Sequence, residues 1–169
     1  METEIFKKEI NFVTILKGDA PLSLYFSGVD GDVPVANKEG KILLLDTKGH
    51  ELLYNWSLLD ILPVRLKSAP EFFINEHDLT HKLVHRSYDN EANLLNALNV
   101  LFDCVKSTNF FVDDNRKLLL YAFADHMTFN TEYKKSFFKG NPKQINNLVL
   151  FLNELFGAFW NNSTILTFD

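Results

Sequence analysis

The hydropathy period of this chain changes near residue 75. Before that point, short apolar runs are separated by turn residues. After it, apolar residues recur at helical spacing, and only the final residues return to a strand pattern. Strands, then helices, then one strand predict an α+β fold rather than a doubly wound α/β fold. The expected architecture is a mainly antiparallel N-terminal sheet of about five to six strands. About four to five C-terminal helices should pack on one face, with a last strand at the C-terminus. The chain is expected to be one domain, residues 1–169, strand-rich over about 1–74 and helical over about 75–160. A chain of 169 residues buries enough surface, roughly 68–70% of its unfolded area, to fold without a disulfide or a metal.

Residues 9–16 (EINFVTIL) and 22–27 (LSLYFS) read as strands joined by a turn at Gly18-Asp19-Ala20-Pro21. Leu22, Leu24 and Phe26 alternate with Ser23, Tyr25 and Ser27, which predicts a half-buried strand. Residues 28–40 read as a loop. KILLLD (41–46) and HELLYN (50–55) flank Thr47-Lys48-Gly49, which predicts a β-hairpin with a G1-type bulge at Gly49. Residues 57–62 fit a helical turn or a strand, and 64–67 and 71–74 fit short strands.

In the second half, Asn75 is placed to cap a helix reaching about Arg86, and Asp89 one over 90–106. Asn93, Asn96, Asn99, Asp103 and Lys106 form one polar stripe on the latter, and leucines fill the rest. Asp113 should cap a helix over 114–127, and a short helix is expected over 132–139. Asn141-Pro142-Lys143-Gln144 reads as a capped start for a helix to about Trp160. Residues 163–168 read as the last strand.

Composition removes several function classes. The formal net charge is -5, and only three of the 17 basic residues, Arg65, Arg86 and Arg116, are arginines. Phosphate and base recognition favour many cations and Arg in particular, so nucleic acid is not expected as a partner. No apolar run nears the ~20 residues of a membrane-spanning helix, and no signal peptide is evident. Cys104 is the single cysteine, which suits a reducing compartment. The expectation is a cytoplasmic protein with no nucleic-acid or membrane partner. Its oligomeric state is open.

Several residue groups are candidates for chemistry. His77, His81 and His85 recur every four residues, and neighbouring pairs at this spacing can share a metal ion. All three span eight residues, roughly 12 Å, too far for one tetrahedral site. They lie opposite Leu79 and Leu83, so a solvent-facing stripe, with an Asp78–Lys82 pair beside it, is the weightier reading. Asp30-Gly31-Asp32 pairs two carboxylates on a loop, but Val35 and Lys41 stand where a calcium-binding EF-hand needs Gly and Glu. Asp125 and His126 point about 100° apart on a helix and are poorly placed as a catalytic pair. Cys104, in a Leu- and Phe-rich helix, reads as a core thiol. No phosphate loop, dinucleotide fingerprint, CxxC, HExxH or GxSxG occurs. No cofactor and no catalytic residue is therefore assigned. The aromatic pairs Phe110-Phe111, Phe137-Phe138 and Phe159-Trp160 each place two bulky rings in different directions. At least one of each pair covers a helix end or stays exposed to serve an interface, with core closure by bulky residues the weightier reading.

The expected function is a non-enzymatic protein-binding module. Its concrete form is a small inhibitor or immunity-type protein that neutralises a partner such as a toxin. Asp30, Asp32, Glu39, Asp113 and Asp114 are the acidic partner-binding candidates. The alternatives are a metal-dependent hydrolase or metal-binding protein using His77 and His81, and a viral or structural subunit that self-associates.

Overall fold

The computed structural model describes residues 8–27, 33–84, 91–106, 113–129 and 143–169. These fold as α+β. The elements form two compact units, one running through Ile74 and completed by Ser163–Asp169, the other spanning Asn75–Asn162. The boundary falls where the hydropathy period changes.

The first unit holds β1 (Lys8–Ile10), β2 (Phe12–Lys17), β3 (Ala20–Ser27), β4 (Val33–Pro34), β5 (Ile42–Leu45), α1 (Thr47–Leu58), β6 (Val64–Leu66), β7 (Phe73–Asn75) and β8 (Ser163–Leu166). A six-stranded sheet runs β7-β2-β3-β5-β8, with β4 paired to β3, and β1 pairs with β6 separately. β3 is antiparallel to β2, β4 and β5. The β5–β8 and β1–β6 pairs are parallel, so the architecture is mixed rather than purely antiparallel. β2 and β3 meet at Gly18, whose φ of 63° is one that glycine adopts without steric cost. The hairpin turn is thus shorter than its sequence implies, and Ala20 and Pro21 already lie in β3.

The hairpin expected around Thr47-Lys48-Gly49 is not formed. KILLLD contributes β5, but HELLYN lies in α1. Asp46 acts as an N-cap instead of a turn residue, its Oδ1 accepting from Gly49 N at 2.8 Å. Gly49 is glycine for closeness rather than for φ: a Cβ there would stand 2.7 Å from the Phe168 ring. This helix also corrects the half-buried reading of β3. Ser23 and Tyr25 are buried, because α1 lies over their face of the sheet. Phe12, Tyr25, Leu45 and Leu66 form the core beneath it, with Leu53 and Tyr54 packed against them. The opposite face carries Val13, Ile15, Leu24, Ile42 and Leu44, all buried as well.

The second unit holds α2 (Glu76–Val84), α3 (Glu91–Lys106), α4 (Asp114–Phe129) and α5 (Gln144–Asn161). Asn75 Oδ1 accepts from Asp78 N and Asp113 Oδ1 from Arg116 N, so both expected caps are in place. α5 is the hub. Leu148, Phe151, Leu152, Leu155, Phe156 and Phe159 are fully buried, and α2, α3 and α4 all pack on it. On α3, Leu94, Leu98, Leu101 and Val105 face inward. Asn96, Asn99 and Lys106 of the polar stripe are exposed. α5 is preceded by Lys143, which makes no side-chain cap. The Asp89 and Asn141 caps and the 132–139 helix lie outside the described residues. Among the described residues, no helix is long and apolar enough to cross a membrane.

Candidate functional site

α1 is apolar on two sides, and each side has a separate task. Inward, His50, Leu53, Tyr54 and Ser57 recur at helical spacing and meet the sheet. The Tyr25 hydroxyl lies 2.6 Å from His50 Nδ1. Burial pushes the Tyr25 phenol up, against an opposing hydrogen bond with Ser23, so the phenol stays protonated. With the imidazole proton on Nε2, this O–H donates to Nδ1; with the proton on Nδ1, the phenol oxygen accepts. Burial holds His50 below the ordinary imidazole range, more strongly than Glu51 pulls it up. The His50 ring lies 4.5 Å from Phe12 and 6.4 Å from Tyr54, centroid to centroid. Ser57, fully buried, donates to Tyr54 O at 2.7 Å and accepts from Leu66 N at 3.3 Å. These contacts lock α1 to β3 and β6. They are a structural latch, with the imidazole enclosed by rings.

Outward, Leu52, Trp56 and Leu59 follow at i, i+4 and i+7, one ridge along the solvent side of the helix and its C-cap. They are 39%, 42% and 70% exposed. Leu58 and Ile61 are exposed beside them, where Asp60 at φ 59° turns the chain out of the helix. A contiguous apolar surface on the side of a helix away from its own core is the feature that marks interaction sites. A tryptophan inside it is the residue type most enriched where binding energy concentrates. Reading HELLYN as a strand hides this surface from the sequence. The 52/56/59 spacing was the signal that pointed to it.

The residues singled out from the sequence are placed as follows. Glu39 is exposed in the turn that Asn37 closes, Asn37 Oδ1 accepting from Glu39 N and Lys41 N at 2.9 Å each. Asp113 caps α4 and pairs with Arg116 at 3.3 Å, and Arg116 also bridges to Glu154. Asp114 is exposed, 3.6 Å from Lys117. Beside Asp113 and Arg116, an open groove of about 630 Å3 runs between α4 and α5, with Leu118 and Leu150 exposed along it. His77 and His81 are exposed on α2, and Asp78 pairs with Lys82 at 3.0 Å. Cys104 is fully buried, and burial with Asp103 nearby pushes its thiol up, away from nucleophilic character. Phe159 is buried, and Trp160 donates from Nε1 to Glu76 Oε2 at 3.1 Å, so this pair closes the helical unit. Asp125 is exposed. Asp30, Asp32, His85, Phe110, Phe111, Phe137, Phe138 and the His126 side chain lie outside the described residues. Among those described, no three His, Cys, Asp or Glu side chains gather as a metal cluster.

No protein-family model, no curated protein and no solved structure matches this chain.

Proposed function

We propose that this chain is a non-enzymatic protein-binding module whose contact surface is the outer face of α1. The observation that carries the reading is the ridge of Leu52, Trp56 and Leu59, exposed on a helix whose inner face is already committed to the sheet. Lys48, Glu51 and Asn55 flank the ridge with polar groups, which gives the apolar-centre, polar-rim layout of a protein interface. In its concrete form the module is a small cytoplasmic inhibitor or immunity-type protein acting on a basic partner such as a toxin. The net charge of -5 favours encounter with such a partner. Glu39 and Asp114, both exposed, are the acidic residues that assist association.

The test is affinity capture from source-organism lysate with the wild-type chain and with Trp56→Ala. One dominant partner should bind wild type, and the variant should bind it roughly thirtyfold or more weakly, the size expected of an interface hot spot. Circular dichroism of the variant should be unchanged, since Trp56 is not part of the core. Equal capture by both proteins would assign the contact to another surface. Self-association of wild type that Trp56→Ala abolishes would replace the inhibitor with a homo-oligomer.

A further inference from the structure

His77 and His81 stand one helical turn apart on α2, and both are exposed. Their rings stack with centroids 6.2 Å apart and planes inclined by 22°. The backbone beneath them is fixed from the other side. Leu79 and Leu83 are buried, Asn75 caps the helix, and Trp160 holds Glu76. The neighbouring carboxylate, Asp78, is turned to Lys82 at 3.0 Å. The two imidazoles therefore sit one turn apart on one exposed face of a helix whose backbone is held from the other side. Preorganisation of this kind lowers the entropy cost of binding.

We propose that His77 and His81 form a surface chelate for a divalent first-row transition ion, with water in the remaining positions. Imidazole nitrogens at i and i+4 can reach one ion at the usual zinc–nitrogen distance of about 2.0–2.1 Å after small side-chain rotations. Imidazole selects copper, nickel and zinc, whereas calcium and magnesium need oxygen ligands. An ion held at both residues ties together two positions one turn apart. It therefore binds the helical form of α2 and stabilises it by linkage. The site lies on the helical unit and is independent of the α1 surface.

The experiment is a calorimetric titration of the untagged full chain with Cu2+, Ni2+ and Zn2+, each alone, and electron paramagnetic resonance of the Cu2+ form. Wild type should take up one ion per chain, with Cu2+ tightest, and the copper spectrum should show two-nitrogen coordination. His77→Ala and His81→Ala should each weaken binding at least tenfold and remove one nitrogen from the spectrum. Both changes fall on the exposed side of α2, so circular dichroism should stay unchanged. No uptake by wild type at millimolar ion, or affinity and spectrum unaltered in both variants, overturns the proposal. A preference for Ca2+ or Mg2+ over Cu2+ overturns it as well.

Discussion

His50 is a half-buried titratable residue held within the packing of the sheet unit. Its Nδ1 lies 2.6 Å from the Tyr25 hydroxyl and its ring packs on Phe12, and burial there favours the neutral imidazole in the folded chain. Its folded pKa lies below the unfolded value of 6.5, chiefly through burial. Below 6.5 the unfolded chain binds the proton first, which makes stability rise with pH in this window. The contribution is complete above the unfolded value and is lost as pH falls through the folded one. Denaturant unfolding at a series of pH values should show wild type losing stability below pH 6.5, beyond the loss shown by His50→Asn. Asparagine keeps a polar atom near the Nδ1 position and does not titrate there. Parallel curves for the two proteins would refute this role. Sequence alone gave no sign of the Tyr25–His50 contact. The two residues are 25 positions apart, and only the packing of α1 across β3 joins them.

At the scale of elements, α1 shows why one part of the fold was hard to read while its neighbours were not. Asn75 and Asp113 stand before amphipathic or uniformly apolar helices, and each cap acts where its residue type predicts. Asp46 carries the same signal, but Gly49 lies three residues later and imitates a hairpin turn. The residues that follow are apolar on both the inner and outer faces of α1. The two faces cancel, so the helical period is weak and leucine-rich strands fit equally well. The sheet settles the matter by burying Ser57 and partly covering His50, Leu53 and Tyr54, at a spacing only a helix provides. Asp46 then has two attachments, accepting from Gly49 N through Oδ1 and from Phe168 N through Oδ2 at 3.2 Å. Asp46→Ala should cost about 0.5–2 kcal/mol in chemical denaturation, the usual range for a lost N-cap. Asp46→Asn should cost less, because asparagine caps equally well and loses only the exposed bond from Phe168 N. If the alanine variant matches wild type, the cap does not hold the helix start.

At the scale of the whole molecule, the order of elements was legible and the sheet connectivity was not. The shift of period near Asn75 marks the unit boundary, and residues 163–168 carry a strand pattern. Nothing local says that this last strand pairs parallel with β5, since parallel pairing depends on which strand is adjacent after all the helices have formed. The pairing sets Ile42 against Ser163, Leu44 against Ile165 and Leu45 against Leu166. It makes the first unit discontinuous, because its outer strand comes from the far end of the chain. Asp46 N also donates to Leu166 O at 3.3 Å, so the ladder continues into the start of α1. Completion of the sheet therefore requires long-range closure, a slow kind of contact to form. Thr164→Pro removes a ladder N–H, because Thr164 presents its backbone to the same side of β8 as Leu166, whose carbonyl accepts from Asp46 N, and it forces a bend within β8. Hydrogen exchange should then show lost protection at the β5 amides and at the start of α1. The β2–β3 hairpin, closed locally at Gly18, should keep more of its protection. Equal loss across β2, β3 and β5 would mean that the sheet opens only as a whole, and that β8 is as integral to it as the strands next to it in sequence.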